Sequence, residues 1–185
     1  MVDAPPELET ARLILRRWRD SDADALAAMN ADPEVMRYFP KRLDRAESDA
    51  MLGRVREKWR KEGFSFAAVE VKGGGFIGFV GLNRSSFPPH LAPCIEVGWR
   101  LARHAWGQGY AAEAARAGLG HGFGAMGLGE IVAFCVAGND RSRAVMERLG
   151  MTRNPAEDFD DPDESVDSPI RRLVLYRLRR EEWSE

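Results

Sequence analysis

The sequence is poor in the residues that would indicate a disulfide framework, a metal centre or a membrane span. It has two cysteines and three histidines among 185 residues, and no apolar run approaches the roughly 18 residues of a membrane-spanning helix. Cys94 and Cys135 each lie in an apolar, strand-like run without a neighbouring histidine, so we interpret both as reduced core residues of a cytoplasmic protein. His90, His104 and His121 are too scattered to predict a metal site.

The chain also lacks a strong net charge. It has 27 Lys and Arg residues against 29 Asp and Glu, which gives a formal net charge of -2. A general nucleic-acid-binding surface needs an excess of positive charge, so we expect no nucleic-acid partner. The first residues, Met1–Pro6, have no basic region followed by an apolar stretch, so we expect neither a signal peptide nor a membrane partner.

Composition and hydrophobic periodicity predict one α+β domain. Hydrophobic residues make up 44% and charged residues 30% of the chain, as in ordinary globular proteins. The length suits a single domain over residues 1–185, and no repeat or linker divides it. Strand and helix patterns follow in the order strand, helices, three-stranded meander, helix, strand, helix, strand. This order predicts a mixed, mostly antiparallel sheet.

The element boundaries come from alternation for strands and from i, i+3, i+4 spacing with caps for helices. The predicted strands are Ala11–Trp18, Phe64–Val71, Phe76–Asn83, Cys94–Leu101, Glu130–Val136 and Ile170–Arg179. The predicted helices are a short one from Asp20 or Ser21 to Met29, a turn after Asp32, and Asp44–Glu62, Tyr110–Met126 and Asn139–Leu149. Close packing against the sheet is predicted at Gly118, Gly120, Gly122 and Gly124.

One glycine-rich stretch raises the question of its ligand. Gly107-x-Gly109-x-x-Ala112 fits the dinucleotide fingerprint G-x-G-x-x-G/A. A Rossmann site would place this motif in the first βα unit, with an acidic residue ending the next strand and further βα units after it. The chain meets none of these conditions. The turn still suits a pyrophosphate, because glycines permit close backbone approach and a helix N-terminus attracts anions. A tight packing turn without a ligand is the alternative.

Several motifs occur together in a fixed order along the chain. They are TARLILR at 10–16, DPEVMRY at 32–38, EVGW at 96–99, WGQGYAAEA at 106–114, NDRS at 139–142 and LGM at 149–151. In this order they resemble the GCN5-related N-acetyltransferase (GNAT) superfamily and, within it, the ribosomal-protein N-terminal acetyltransferase branch, over about residues 10–180. The resemblance implies a GNAT fold, with about seven strands flanked by helices, and acetyl-CoA as cosubstrate without a metal.

The same resemblance implies a set of cofactor-binding residues. Backbone amides across the glycine loop hold the pyrophosphate in this family, and by position these belong to Ala105, Trp106, Gly107, Gln108, Gly109 and Tyr110. The backbone from Trp99 to Leu101 would bind pantetheine, and Asn139 and Ser142 would cap the last helix and contact the cofactor arm. The loop departs from the Q/R-x-x-G-x-G/A consensus at its first position, which is His104.

The implied chemistry is direct attack of a primary amine on the thioester in a ternary complex. This reaction needs correct placement of the reactants, a base and stabilisation of the oxyanion. Glu96 is the candidate base, because alternation puts it on one strand face with Gly98 and Arg100; an exposed surface glutamate is the alternative. The tyrosine that often acts as general acid aligns with Met146. Ser142 or a water would then serve, or the thiolate would leave unprotonated.

Fewer residues of the sequence indicate where the acceptor amine binds than indicate the cofactor site. The resemblance implies Asn83, Arg84 and Phe159 as candidates for lining an acceptor pocket. The segment Glu157–Asp167 has seven acidic residues and no basic one, which predicts a solvated, mobile loop or, alternatively, a guide for a cationic amine. The expected acceptor is a small-molecule amine or a protein N-terminus, and the family is compatible with a homodimer. The competing function is a catalytically inactive acyl-CoA-binding sensor or scaffold.

Overall fold

A computed structural model describes residues 7–184. Over this range the backbone forms nine β-strands and four α-helices. The predicted absence of a signal peptide concerns Met1–Pro6, which lie outside the described residues. The elements are β1 (Leu8–Glu9), β2 (Leu13–Arg16), α1 (Ala23–Ala31), α2 (Arg45–Glu62), β3 (Ala67–Val71), β4 (Phe76–Ser85), β5 (Cys94–Leu101), α3 (Tyr110–Phe123), β6 (Glu130–Val136), α4 (Asp140–Arg148), β7 (Thr152–Arg153), β8 (Phe159–Asp160) and β9 (Arg172–Arg179).

Within residues 7–184 all nine strands belong to one sheet. Their order is β1-β2-β3-β4-β5-β6-β9-β7, and β8 also pairs with β9. Only β5 and β6 run parallel; every other pair is antiparallel. The predicted α+β class and the mixed, mostly antiparallel sheet are therefore confirmed. The strands that sequence patterns missed, β1, β7 and β8, have two residues each, which is too short for alternation to be visible.

The first helical region differs from its predicted form. A 3₁₀ turn over Asp20–Asp22 precedes α1, which begins at Ala23 rather than at an Asp20 or Ser21 cap. The cause is the Asp22 carboxylate, which turns inward, accepts the Arg19 backbone N–H at 2.8 Å and pairs with Arg16. The predicted helical turn after Asp32 is a short run of turns.

Helices cover both faces of the sheet and enclose two apolar cores. One core packs α3 and α4 against the sheet, through side chains that include Leu119, Phe123 and Met146. The other packs α1 and α2 against the opposite face, around Leu26 and Leu52. Consecutive residues of a central strand therefore face different helices.

The glycines of α3 pack closely at only part of the predicted positions. A Cβ at Gly122 would lie 2.7 Å from Leu82 Cδ1 and 2.9 Å from Ile131 Cδ1, so close packing against the sheet is confirmed there. A Cβ at Gly118 would meet no atom within 4 Å, so the explanation does not hold for that residue. The close approach of α3 to the sheet therefore requires a glycine at position 122 and does not account for the other three glycines.

Candidate active site

The parallel strands β5 and β6 separate near the middle of the sheet. A single ladder pair, Glu96 with Val132, joins them, so the edge of β5 beyond Glu96 has no partner on β6. An unpaired strand edge offers N–H and C=O groups to an extended ligand. A cavity of about 440 Å³ opens at this separation. Its lining includes Glu96 to Arg100, Phe134 to Val136, Asn139, Ser142, Met146 and Tyr38 to Pro40.

The glycine loop lies between β5 and the first turn of α3. Gly107 and Gly109 have φ angles of 76° and 79°, in the left-handed region that favours glycine. The indole N–H of Trp106 donates to the Leu101 carbonyl oxygen at 2.8 Å and so fixes the loop to the end of β5. The first backbone N–H groups of α3 have no partner within the helix, and the helix dipole favours an anion there. The loop therefore has the geometry of a phosphate site.

Glu96 lines the cavity at the point where the strands separate, and a polar chain holds its carboxylate. The Asn83 side-chain amide donates to Glu96 Oε1 at 2.7 Å, and Lys58 Nζ donates to Asn83 Oδ1 at 2.8 Å. Burial raises the pKa of Glu96, while the Asn83 hydrogen bond and the Lys58 charge oppose that rise. A carboxylate in a cavity with a raised pKa has the properties that a general base requires.

These features agree with the match to known proteins. The family model described as an acetyltransferase (GNAT) domain matches residues 12–152, which is more than half of the chain. The chain belongs to the GNAT acetyltransferase family. It is therefore an acyltransferase by family, and its mixed sheet with flanking helices is the GNAT fold.

Individual relatives cover nearly the whole chain. The uncharacterized protein YkkB of Bacillus subtilis (strain 168) is 32% identical over 152 residues, covering 81% of this chain and 87% of that protein. FsC-acetyl coenzyme A-N(2)-transacetylase of Aspergillus fumigatus is 29% identical over 199 residues, covering 98% and 80%. The crystal structure of a GNAT-family acetyltransferase from Bacillus anthracis aligns with a TM-score of 0.79 and 25% identity, covering 96% of this chain and 100% of that one. Membership of the ribosomal-protein branch remains a proposal.

The remaining residues that the GNAT resemblance indicated for cofactor and catalysis meet at the start of α4. Asn139 Oδ1 accepts the Ser142 backbone N–H at 3.2 Å, which confirms the predicted cap. Ser142 Oγ accepts the indole N–H of Trp99 at 3.3 Å, so side chains from β5 and α4 contact each other across the cavity. Met146, at the position where GNAT enzymes often have tyrosine, lines the cavity and is 1% exposed.

Tyr38 and Cys135 are among the cavity residues that were not sequence candidates for the site. Tyr38, from the segment between α1 and α2, donates its hydroxyl to the Gly138 carbonyl oxygen at 2.9 Å, just before α4. Its position depends on a contact 100 residues away in sequence, which no local pattern indicates. Cys135 also lines the cavity, but burial raises the pKa of its thiol to about 12, so the thiol stays protonated at neutral pH.

The three acceptor-side candidates lie in different surroundings. Asn83 is buried between Lys58 and Glu96, as described above. Arg84 is exposed, lies outside the cavity lining and forms an ion pair with Glu62 at 3.5 Å. Phe159 packs behind the cavity, with ring centroids 5.5 Å from Phe87 and 6.0 Å from Phe134, and both of these rings line it.

The acidic segment is more ordered than its composition predicts. Phe159–Asp160 forms β8, and the expectation of an entirely solvated loop is wrong for this part. Arginines of the last strand and its neighbours neutralise three of the seven carboxylates: Glu157 pairs with Arg177, Asp158 with Arg153, and Asp160 with Arg171 and Arg172. Asp161 is the one carboxylate of residues 157–167 that lines the cavity.

Metal and membrane features were searched over the same part of the chain. Residues 7–184 contain no group of three or more His, Cys, Asp or Glu side chains arranged to hold a metal ion. None of the helices in that range is long and apolar enough to cross a bilayer.

Proposed function

We propose that the chain is an acetyl-CoA-dependent N-acetyltransferase that moves an acetyl group to a primary amine by direct attack in a ternary complex. Glu96 is the general base in this proposal and removes a proton from the ammonium, directly or through a water. The observation that carries the proposal is a partly buried carboxylate that lines the cavity at the separation of β5 and β6, on the strand that leads into the glycine loop. We place the enzyme in the cytoplasm, as one domain, and the family resemblance is compatible with a homodimer.

The proposed cofactor path follows the cavity. The resemblance assigned the pyrophosphate to the backbone amides of Ala105, Trp106, Gly107, Gln108, Gly109 and Tyr110. The amides of Ala105 and Trp106 already donate to the carbonyl oxygens of Ala102 and Arg103 at 2.9 and 3.1 Å. In this proposal the amides of Gly107, Gln108, Gly109 and Tyr110 therefore hold the pyrophosphate of acetyl-CoA. Pantetheine pairs with the free edge of β5 from Trp99 to Leu101 and passes Asn139 and Ser142. No metal takes part. Support comes from the unpaired strand edge and the positive φ angles of the loop.

The acid step is assigned to Ser142 in this proposal. Met146 has no proton to give, while the Ser142 hydroxyl lines the cavity beside Trp99. A thiol pKa of about 8.5 also lets the thiolate leave without full protonation. The acceptor is a small-molecule amine or a protein N-terminus. The motifs at 10–16 and 32–38 resemble the ribosomal-protein N-terminal acetyltransferase branch and so favour a protein N-terminus.

An acceptor screen tests this proposal. Purified protein is incubated with acetyl-CoA and a panel of primary amines and N-terminal peptides, and free CoA thiol is measured. We expect amine-dependent thiol release with matching acetylated product. The absence of turnover with every amine, combined with thermal stabilisation by CoA, would instead support an inactive acyl-CoA-binding sensor or scaffold, which the methionine at position 146 favours.

Replacement of Gly107 with Ala is expected to weaken acetyl-CoA binding by about tenfold. At φ = 76° an L-residue costs roughly 1–2 kcal/mol, so the loop of the free variant relaxes to another conformation and acetyl-CoA binding has to restore the strained one. A cost of about 1.4 kcal/mol at that step corresponds to tenfold in affinity. A Cβ at this position meets no protein atom within 4 Å, so backbone strain and the ligand are the two causes available. Calorimetric titration with acetyl-CoA measures the effect. Gly129→Ala, where a Cβ is equally free and φ is not positive, is the matched control; equal affinities for both variants would contradict the loop assignment.

Removal of the Lys58 charge is expected to change the pH profile. Lys58 lowers the pKa of Glu96, so Lys58→Met raises it. Because the base must be deprotonated, the acid limb of kcat/KM then moves to higher pH. Lys61→Met is the control, because it removes a charge of the same helix whose ion-pair partner among residues 7–184 is Glu57. A profile of Lys58→Met that coincides with wild type would argue against this chain of contacts.

A further inference from the structure

Arg100 brings a positive charge to the cavity with no carboxylate beside it. The residue lines the cavity, and no Asp or Glu of residues 7–184 forms an ion pair with its guanidinium. Nη1 donates to Asn30 Oδ1 at 2.7 Å, while the buried Nε–H has no acceptor in the described chain. Burial lowers the pKa of Arg100 to about 10, and at neutral pH the side chain remains charged.

Neutral groups position this guanidinium. Asn30 is 0% exposed, and its amide nitrogen donates to Ser48 Oγ at 3.1 Å, which directs Oδ1 at Arg100. The rings of Phe39 and Phe79 lie 4.0 and 5.3 Å from the guanidinium carbon. An aspartate at position 30 would have the shape of the asparagine and would neutralise the arginine. The chain has the amide there, so the charge stays uncompensated.

Arg100 is partly buried, and its Nε is fully buried. A guanidinium that loses this much water is normally paired with a carboxylate, because desolvation of a charge is costly. Glu96 is not its partner. Both residues are on the same face of β5, but a rise of four residue steps separates their Cα atoms by roughly 13 Å. The Phe66 ring lies over the glycine between them, with Cε1 2.9 Å from where a Gly98 Cβ would be. The strand face thus presents a carboxylate, an aromatic ring and a guanidinium in succession.

We propose that Arg100 binds an anionic group, a carboxylate or a phosphate, of a reactant in the cavity, and that this reactant is the acceptor amine. The proposal rests on the acetyltransferase function proposed above. The acceptor then carries its anion several bonds from its amino group, because Phe66 separates the two charged residues. Arg100 faces α1 and α2, whereas the neighbouring Trp99 points to Ser142 on the proposed cofactor side. Because the Arg100 and Trp99 side chains point to opposite faces of β5, Arg100 lies away from the proposed cofactor side. We therefore assign the anionic group to the acceptor and not to the acyl group of the donor.

Matched acceptors test the charge preference. With acetyl-CoA held saturating, kcat/KM is measured for 6-aminohexanoate and for the neutral 6-aminohexanamide. We expect wild type to favour the carboxylate by about tenfold or more, as for a charge-assisted hydrogen bond. Arg100→Met keeps an apolar stem and is expected to lose the preference. Arg54→Met, an exposed arginine of α2 outside the cavity, should retain the wild-type ratio.

A second variant keeps the arginine in place. Asn30→Asp puts a carboxylate where an oxygen now lies 2.7 Å from Nη1, so the ratio should fall although Arg100 is still present. Melting temperatures of all variants check folding. A wild-type ratio near one, or a ratio unaffected by both Arg100→Met and Asn30→Asp, would overturn the proposal.

Two further measurements distinguish failure of the anion site from failure of the proposed acetyltransferase function. If no amine is acetylated, the proposed function fails, but binding remains measurable. N-acetyl-6-aminohexanoate and its amide are titrated into CoA-loaded protein, and we expect the same Arg100-dependent preference for the carboxylate. Equal binding of both would overturn the anion site. Succinyl-CoA is compared with acetyl-CoA, using the neutral amine. An Arg100-dependent preference for succinyl-CoA would assign the anion to the donor and refute the acceptor assignment.

Discussion

Glu96→Gln is expected to lower kcat by about 10²–10⁴-fold, the range that a positioned general base contributes. The substitution preserves the shape of the side chain and leaves an oxygen to accept the Asn83 amide hydrogen, which now bonds Oε1 at 2.7 Å. It removes only the ability to take a proton. Acetyl-CoA affinity should stay near the wild-type value, because the glycine loop and the strand edge are unchanged. Steady-state kinetics with calorimetric titration measure both quantities.

The pH dependence makes this result specific to a base. Burial raises the pKa of Glu96, so the wild-type kcat/KM should rise with pH through a value above that of an ordinary glutamate. In Glu96→Gln this rise of kcat/KM with pH, the acid limb of the profile, should disappear. Glu34→Gln, at an exposed position, should behave as wild type. A Glu96→Gln enzyme with near-normal kcat and an unchanged limb would assign the proton transfer to another group.

Sequence patterns located the general base candidate but not the residues that hold it. Alternation along Cys94–Leu101 was sufficient to place Glu96 and Arg100 on one strand face. Lys58 lies 25 residues before Asn83, on a helix whose charged residues look like an ordinary solvated face. Only the packing of α2 over β4 turns one of them inward. Polar contacts between elements depend on tertiary geometry, and hydrophobic periodicity carries no information about them.

Dependence on tertiary geometry also explains why the sequence did not predict the ion pairs of the acidic segment or the surroundings of Arg100. Composition counts the charges within a window, so it missed two contacts with the last strand. Asp160 faces Arg172 across the pairing of β8 with β9, and Glu157, in the 3₁₀ turn before β8, forms an ion pair with Arg177. For Arg100, the decisive partner is Asn30, 70 residues away. The glycine loop was predictable because its constraint is local: a positive φ requires particular residues at particular positions.

Asp22→Asn is expected to lower the free energy of unfolding by about 1–3 kcal/mol, because it removes the negative charge from a buried pair while Arg16 keeps its second ion pair, with Glu70 at 2.8 Å. Arg16 is 4% exposed and Asp22 2% exposed, and the guanidinium donates two hydrogen bonds of 2.8 Å to the two carboxylate oxygens. Urea denaturation at pH 7 measures the change. Asp24→Asn breaks an exposed pair with Arg45 and should cost less than about 1 kcal/mol.

The pH dependence of the Asp22 effect has a definite sign. Burial is the largest single influence and raises the pKa of Asp22, but the hydrogen bonds from Arg16 and the Arg19 backbone and the arginine charges together lower it. The folded pKa therefore lies below the unfolded value of about 3.9. The stabilisation is complete above that unfolded value and is lost as pH falls through the folded pKa. The stability difference between wild type and Asp22→Asn should therefore be smaller at pH 3 than at pH 7, because below about 3.9 the unfolded wild type takes up a proton that Asp22 in the folded protein binds only at lower pH. A difference that stays constant over this range would show that the ion pair contributes through packing alone.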